Sequence, residues 1–235
     1  MEINKEVELF IVMPLFNEEE SIERTVQEWL TAVRKEGILF QLLLINDGSK
    51  DKSLQIIQSL AANNSEIVVW TGENQGHGKS CFDGYKYAVE QGFPLIMQLD
   101  SDGQCDPKYF NKFYGLIHQS EVDAVYGVRY YRKDGLIRYF VSRILSVIAF
   151  FRVGIWVFDP NVPYRIFKRE SVLKAIDSFK VIDLFNVYLS LYHRKYCRVR
   201  YQAIVFRDRW GGSPSVKVSG LFPWAINFWK QLSRI

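Results

Sequence analysis

Residues 94–104 read Pro-Leu-Ile-Met-Gln-Leu-Asp-Ser-Asp-Gly-Gln, a short apolar run that ends abruptly in a polar turn. Such a run, bounded by turn residues, is typical of a strand that is buried on both faces. Three earlier stretches have the same form, so we predict four strands, at Glu8 to Pro14, Leu39 to Asn46, Glu66 to Thr71 and Pro94 to Leu99. Between them, apolar residues at three- and four-residue spacing predict helices at Glu19 to Glu36, Lys52 to Asn63 and Gly78 to Gly92. This alternation predicts an α/β fold, with one Rossmann-like and mostly parallel sheet flanked by helices.

The second half of the chain is less regular. Further strands are predicted at Asp123 to Val128, Tyr164 to Lys168 and Arg198 to Phe206. No repeat or linker divides the chain, and 235 residues with 48% hydrophobic content suffice for one core. We therefore expect a single domain over residues 1–210 and an appended tail over residues 211–235.

Charge and cysteine content exclude several classes of protein. The 30 Lys and Arg residues nearly balance the 26 Asp and Glu residues, giving a net charge of +4, so no nucleic-acid partner is expected. The three cysteines are widely spaced, which argues against a disulfide framework or a structural zinc site. The first residues lack the features of a secretory signal peptide. We expect a cytoplasmic protein.

The turn after the fourth predicted strand is the sharpest chemical feature. Asp100 and Asp102 flank one residue, and Gln104 adds a side-chain carbonyl oxygen. Hard oxygen ligands in this spacing suit Mg²⁺ or Mn²⁺, which keep positions for water and for the phosphates of a diphosphate. The structural alternative is that Asp102 or Ser101 caps a helix that runs from Pro107 through Ile117.

Two common nucleotide-binding motifs are excluded by spacing. The run at residues 76–80 (GHGKS) invites interpretation as a phosphate-binding loop, but Glu73 occupies the place of the glycine that such a loop requires. The first strand is not followed by the glycine pattern of dinucleotide-binding domains. A nucleotide-dependent dehydrogenase is therefore disfavoured.

Four motifs in order resemble those of family 2 glycosyltransferases of GT-A fold, close to the dolichyl- and polyprenyl-phosphate sugar synthases. Residues 11–18 (IVMPLFNE) resemble the opening V-I-P-x-Y/F-N-E strand, and residues 45–51 (INDGSKD) resemble V-D-D-G-S-x-D, with Asn46 in place of one aspartate. Residues 74–79 (NQGHGK) resemble the N-x-G-x-G loop, and residues 100–104 (DSDGQ) resemble the D-x-D-x-Q metal motif. The resemblance covers residues 10–107 most closely.

The resemblance implies roles for particular residues, with a nucleotide-sugar donor and Mg²⁺ or Mn²⁺ as cofactor. The nucleotide-binding residues that it implies are Pro14, Phe16, Asn17, Glu18, Asp47, Lys79 and Asp100. The metal ligands that it implies are Asp100, Asp102 and Gln104. The catalytic residues that we predict are Asp102, Arg129, Arg209 and Asp183, and the predicted acceptor-binding residues are Arg138 and Arg143.

The second half matches the family more loosely. Residues 127–130 (GVRY) resemble G-S-R, and residues 158–167 resemble D-x-T-S-G-F-R-x-F, except that 161–163 (NVP) depart from T-S-G. Residues 209–213 (RWGGS) resemble the R-x-G-x-S loop that closes over the diphosphate, but Pro214 stands where a lysine is expected. Lys217 or Arg207 could replace that cation.

The acceptor is open between two classes. A lipid phosphate is already anionic and needs cations, for which Arg138 and Arg143 are candidates, whereas a saccharide hydroxyl needs a base such as Asp183. Asp183 could equally be a helix N-cap. We favour the lipid phosphate, with inversion at the anomeric carbon as the resemblance implies. A non-catalytic scaffold that binds nucleotide sugar is the remaining alternative.

Two segments bear on membrane association. The apolar stretch from Phe140 to Phe158 contains Arg143 and Arg152, which favours a buried or interfacial helix over a membrane span. The tail mixes aromatic and basic residues, as segments at lipid headgroups do. We expect peripheral attachment at the inner face of the membrane, with packing of the tail on the domain as the alternative.

Overall fold

The protein forms a single seven-stranded sheet covered by helices on both faces. The computed structural model describes residues 7–131, 136–157, 159–178 and 185–211. The strands are β1 (Leu9–Leu15), β2 (Phe40–Asn46), β3 (Ile67–Thr71), β4 (Leu95–Gln98), β5 (Ala124–Tyr131), β6 (Arg165–Lys168) and β7 (Val199–Val205). The helices are α1 (Ile22–Lys35), α2 (Ser53–Asn63), α3 (His77–Gln91), α4 (Phe110–Ile117), α5 (Leu136–Val153), α6 (Arg169–Ser178) and α7 (Phe185–Tyr196).

The strand order is β3-β2-β1-β4-β6-β5-β7. The first four strands are parallel to one another, as the sequence predicts. β6 is antiparallel to both of its neighbours, β4 and β5, while β5 and β7 are parallel. Because β6 runs in the opposite direction, its amino end lies at the same edge as the carboxyl ends of the other strands.

The core forms where apolar strands meet the apolar faces of the helices. All seven residues of β1 are buried, because this central strand has helices over both of its faces. α1 turns a stripe that includes Val26, Trp29 and Val33 towards the sheet. α1 begins at Ile22, later than the Glu19 that we predict, because the preceding residues are tied to the loop after β2.

The apolar stretch at residues 140–158 contributes most of α5. Part of this helix packs inward, since Ala149 joins Tyr188 and Leu191 in a small second core cluster. The opposite face is exposed and apolar, with Phe151 75% exposed and Ile144 47% exposed. No helix within the described ranges has the length and apolarity to cross a bilayer.

The buried His193 on α7 gives the fold an expected pH dependence. Its side chain is fully buried, its Nδ1 lies 2.8 Å from the hydroxyl of Tyr126, and burial lowers its pKa to about 3. The unfolded chain takes up a proton near the usual histidine pKa, about 6.5, and the folded chain does not. Stability should therefore fall as the pH drops below 6.5, by at most about 1.4 kcal/mol per pH unit.

Urea unfolding at several pH values between 7.5 and 5 measures this contribution. The variant His193→Asn should lose this part of the slope, although it is less stable throughout. The variant Tyr126→Phe keeps the histidine buried, so it should retain the slope. An unchanged slope in His193→Asn would contradict the assignment.

Candidate active site

The site lies at the sheet edge where β1, β2, β3 and β4 end, which is where open α/β sheets place their ligands. The loops after β1 and β2 are joined by reciprocal hydrogen bonds. The Asn17 amide donates to Ser49 Oγ at 3.0 Å, and the Lys50 amide donates to Asn17 Oδ1 at 2.8 Å. Asn17 has a positive φ of 54°, a conformation that asparagine tolerates better than most residues. The predicted residue Asn17 therefore shapes the mouth of the site.

The start of α1 supports the turn that follows β4. Ser21 Oγ and Thr25 Oγ1 each lie 3.1 Å from the carbonyl oxygen of Ser101. Ser21 Oγ also donates to Glu18 Oε2 at 2.7 Å, and the Glu18 amide donates to Ser53 Oγ at 2.8 Å. The predicted residue Glu18 is thus buried and fixed at the junction of three loops.

Asp47 holds the loop between β3 and α3. Its two carboxylate oxygens accept hydrogen bonds from the amides of Gln75 and Gly76, at 2.8 and 2.9 Å. The neighbouring Gly48 has a φ of +73°, and a Cβ there would lie 2.7 Å from the amide nitrogen of Asn74. The structure thus gives Asp47 a loop-shaping contact, and its predicted contact with the nucleotide stays a prediction.

The other predicted nucleotide ligands lie at the same edge in different environments. Pro14 is buried within β1, and Phe16 is half-buried just beyond it. Lys79, in the first turn of α3, forms an ion pair with Asp83 one turn later. A phosphate ligand would have to compete with this partly exposed ion pair.

Asp100 and Asp102 follow β4 directly, as predicted. Asp102 is 8% exposed, and its Oδ1 accepts the Gln104 amide at 3.1 Å. Asp100 Oδ1 is buried and has no hydrogen-bond partner, and its nearest basic atom is His77 Nε2 at 3.7 Å. The alternative in which Asp102 or Ser101 caps the next helix is wrong, because Asp106 caps that segment by accepting the Lys108 amide.

This pair of carboxylates fits a divalent ion that is held largely by its substrate. A buried carboxylate oxygen without a partner is costly, and a cation would satisfy it. Within the described ranges, no group of three His, Cys, Asp or Glu side chains forms a ready metal cluster. Gln104 donates its side-chain amide to the Arg207 carbonyl at 3.4 Å, so its predicted role as a ligand stays a prediction.

The segment after β7, residues 206–211, folds back over the turn at residues 100–104. Arg207 donates to the Gly103 carbonyl at 3.2 Å and forms an ion pair with Glu28 at 2.7 Å. The Trp210 ring lies between the guanidinium groups of Arg24, at 4.0 Å, and Arg207, at 4.6 Å. These contacts disfavour Arg207 as the replacement for the missing phosphate-binding lysine.

Gly103 permits this close approach, which leads to a testable prediction. Its φ is +78°, and a Cβ there would lie 2.5 Å from the Trp210 ring. Gly103→Ala should therefore lower the free energy of unfolding by about 1–3 kcal/mol and shift the fluorescence of Trp210. Chemical denaturation of Gly115→Ala provides the control, since a Cβ at Gly115 meets nothing within 4 Å. Equal stability of both variants would contradict the packing described.

Arg209 lies between two acidic groups of the site. It forms an ion pair with Glu18, and its Nη1 lies 3.7 Å from Asp102 Oδ2. Burial raises the pKa of Glu18, while Arg209 opposes that shift. The structure thus brings the predicted Arg209 together with Asp102.

The remaining predicted residues lie farther along the same edge or beyond the described ranges. Arg129, near the end of β5, forms a bidentate pair with Asp159, with N–O distances of 2.6 and 2.7 Å. Arg138 is part of α5, and Arg143 on the same helix is half-buried. Asp183, Lys217 and Pro214 fall outside the described residues. The roles predicted for Arg138, Arg143 and Asp183 stay predictions.

Sequence reasoning did not single out several residues that the structure places here. Trp210 covers Gly103, and Asp159 holds Arg129, whereas His77, which lies beside Asp100, is already part of the predicted donor loop at residues 74–79. Asp159 is the first residue of the D-x-T-S-G-like motif, so its position was a usable signal. The position of Trp210 between Arg209 and Gly211 gave no such signal, because the residue that it covers, Gly103, is far away in sequence.

Named relatives were found by sequence comparison. An undecaprenyl-phosphate 4-deoxy-4-formamido-L-arabinose transferase of Shewanella sediminis is 31% identical over 173 residues, covering 71% of this chain and 49% of that protein. The transferase of the same name from Pectobacterium atrosepticum is 28% identical over 164 residues, covering 69% and 49%. The chain thus spans about half the length of these relatives.

Solved structures share the fold at low sequence identity. Glucosyl-3-phosphoglycerate synthase from Mycobacterium tuberculosis, in complex with phosphoglyceric acid, superposes with a TM-score of 0.64 at 18% identity, covering 96% of this chain and 79% of that one. Mannosyl-3-phosphoglycerate synthase from Rubrobacter xylanophilus has a TM-score of 0.64 at 12% identity, covering 96% and 72%. The predicted GT-A fold is confirmed.

The family resemblance rests on more than fold. The sequence profile described as "Glycosyl transferase family 2" matches residues 10–177, which extend from the second residue of β1 into α6 and include both acidic residues of the turn after β4. The match covers most of the chain and includes the four motifs in their predicted order. This chain belongs to glycosyl transferase family 2.

Proposed function

We propose that this chain is an inverting, metal-dependent glycosyltransferase that moves a sugar from a nucleoside-diphosphate donor to a polyprenyl-phosphate lipid. The observation that carries the proposal is the buried Asp100 Oδ1, which has no hydrogen-bond partner and lies 3.7 Å from His77 Nε2, beside Asp102 at the ligand-binding edge of a family 2 domain. Solved relatives of the same fold support the donor class, since one complex holds Mn²⁺, uridine diphosphate and glucosyl-3-phosphoglycerate.

Asp100 and Asp102 would hold a divalent ion, Mg²⁺ or Mn²⁺, with Gln104 as a further candidate ligand. When bound, such an ion neutralises charge on the diphosphate leaving group. The protein's own part is to keep both carboxylates fixed. The hydrogen bonds from Ser21 and Thr25 to the Ser101 carbonyl hold the intervening residue in place.

Arginine side chains supply the remaining positive charge. Arg209 would leave Glu18 to bind the diphosphate oxygens, as negative charge develops on them during bond cleavage. Arg129, fixed by Asp159, would present its charge from the end of β5. Both guanidinium groups are largely shielded from water, which strengthens their interaction with phosphate.

A lipid phosphate is the acceptor that best fits these residues. The relatives from Shewanella sediminis and Pectobacterium atrosepticum are named as undecaprenyl-phosphate transferases. A phosphate acceptor is already a nucleophile and needs no general base. Cations on α5, Arg138 and Arg143, would bind its charge. The second candidate is a saccharide hydroxyl, for which Asp183 would be the base.

The exposed face of α5 would rest on an anionic membrane surface. Ile144, Val147 and Phe151 share one side of the helix and are 47%, 40% and 75% exposed. Arg143 and Arg152 flank this apolar face, a combination typical of helices that lie in the interface. This would place the chain peripherally at the cytoplasmic face, with the tail at residues 211–235 as a second contact.

Donor binding is tested by thermal stabilisation with UDP, GDP and dTDP, each with and without Mn²⁺. We expect a shift that needs one nucleotide together with the metal, and that is lost in Asp102→Ala. No metal-dependent shift with any nucleotide would refute the donor assignment. Metal-dependent binding without donor hydrolysis or transfer would instead favour the non-catalytic scaffold.

The acceptor is tested by transfer of a labelled sugar to undecaprenyl phosphate in detergent micelles, compared with transfer to saccharides. Transfer only to saccharides would replace the lipid proposal with the second candidate. Flotation with vesicles containing anionic lipid tests the surface of α5. Phe151→Ser should reduce flotation, and Leu39→Ser is the matched control, since Leu39 is an exposed apolar residue away from α5.

A further inference from the structure

Arg165, the first residue of β6, is fully buried and is paired with no carboxylate in the described part of the chain. A guanidinium group in the interior is unfavourable unless strong interactions compensate for its lost hydration. Its hydrogen bonds go instead to the carbonyl groups of Val162 and Asn186, the latter at 3.1 Å, and to Ser190 Oγ at 3.4 Å. Its guanidinium also lies over the Tyr126 ring at 5.4 Å.

One of these acceptors, the Val162 carbonyl, belongs to a short loop, residues 159–163, and the other two lie on α7. Arg165 binds the Val162 carbonyl directly, and Ser190 Oγ lies 2.8 Å from the Pro160 carbonyl. The loop is therefore connected to α7 in two ways, directly through Ser190 and, by way of Arg165, through Asn186. A buried charge whose hydrogen bonds go to two backbone carbonyls and one hydroxyl group indicates that the conformation of this loop matters.

The first residue of the loop is Asp159, which holds Arg129. The pair is bidentate, and the side chains of Arg129 and Asp159 are only 9% and 5% exposed. Two parallel hydrogen bonds fix the plane of a guanidinium group as well as its position. The orientation of Arg129 thus depends on where the loop places Asp159.

We infer that Arg165 is a positioning residue for sugar transfer. It anchors the loop at residues 159–163, so that Asp159 holds Arg129 in the orientation that a phosphate group of donor or acceptor requires. This inference rests on the proposed function, in which Arg129 provides charge to a phosphate. It goes beyond that function in naming the buried residue on which this orientation depends.

A double-mutant cycle with Arg165→Lys and Asp159→Asn tests the coupling. The kcat and KM of transfer and the thermal midpoint are measured for both single variants and for the double variant. In the otherwise wild-type chain, Arg165→Lys should lower kcat by roughly tenfold with little change in the donor KM. In the Asp159→Asn variant, the same substitution should lower kcat by less than about twofold. The thermal midpoints show whether each variant is folded at the assay temperature, so that the coupling is taken from kcat alone.

Two further variants separate this role from general loss of packing. Ser190→Ala removes the contact to Pro160 and should lower kcat in the same direction. Arg169→Lys is the matched control, because Arg169 also donates to a carbonyl group, that of Val89, but lies away from the loop. It should leave kcat unchanged.

The possible results are distinguishable. The inference would be overturned if the fold loss of kcat in the double variant equalled the product of the losses in the two single variants. It would also be overturned if Arg165→Lys and Arg169→Lys lost kcat equally. Either result would leave the proposed function intact. If Arg165→Lys fails to fold, an unchanged kcat in Ser190→Ala overturns it, and a reduced kcat supports it. A wild-type chain that transfers no sugar would remove the proposed function, and the inference with it.

Discussion

Asp102→Asn is expected to reduce sugar transfer by about a hundredfold to a thousandfold, the largest effect that we predict for one side chain. The substitution keeps the shape of Asp102 and an oxygen that can accept the Gln104 amide, so the turn should remain folded. It removes one of the two negative charges that would hold a divalent ion beside the diphosphate. The measurement is initial rate against Mn²⁺ concentration, where the variant should need far more metal for any activity.

Asp106→Asn is the matched control, because Asp106 lies in the same loop, caps the following helical turn and forms an ion pair with Lys108. It should retain nearly full activity and the wild-type dependence on metal. Comparable losses in both variants would show that the loop, and not the carboxylate at position 102, limits the rate. Retained activity in Asp102→Asn would refute the metal assignment directly.

Arg209→Met is expected to lower kcat by about a hundredfold, because the Arg209 guanidinium lies 3.7 Å from Asp102. Its contacts in the structure are with acidic groups and one carbonyl, and a diphosphate would offer stronger acceptors. The loss should appear in kcat more than in KM if charge on the leaving group grows during the reaction. Steady-state kinetics with varied donor concentration makes this distinction.

Arg207→Met, two residues earlier, should show the opposite pattern. Arg207 donates hydrogen bonds to Gly103, Cys105 and Glu28 and packs on Trp210. Its replacement should therefore lower the free energy of unfolding by about 2 kcal/mol. Its kcat should fall much less than that of Arg209→Met at a temperature where both are folded. If the two variants lose the same activity, the separate roles given to these arginines are wrong.

The sequence predicts the donor half of the fold well, because each parallel strand there is a continuous apolar run followed by a polar turn. The placement of Asp100 and Asp102 follows from the end of such a run at Leu99. The antiparallel placement of β6 between β4 and β5 does not follow, since it depends on pairing with strands remote in sequence. Short strands such as β6, with four residues, carry little pattern of their own.

In the candidate site, too, one part can be predicted from the sequence and another cannot. Motifs predict which residues approach the donor, including Glu18, Asp47 and Arg209. They do not reveal that the Asp47 carboxylate binds backbone amides, or that Arg209 reaches Glu18, since these contacts depend on loop geometry. The support given to Arg129 by Asp159 and Arg165 is likewise visible only once the sheet is assembled.

The contact between Glu18 and Arg209 joins positions that are 191 residues apart. During synthesis, the first βαβ units can emerge and pair through short-range contacts, but Arg209 leaves the ribosome only after β7 has been made. The carboxylates of Glu18 and Asp102 therefore lack the nearby charge of Arg209 while the nascent domain assembles. A ribosome-bound fragment that stops before β7 should have a folded sheet nucleus yet lack the cation that completes the site, so that nucleotide-sugar binding becomes a late and sensitive marker of finished folding.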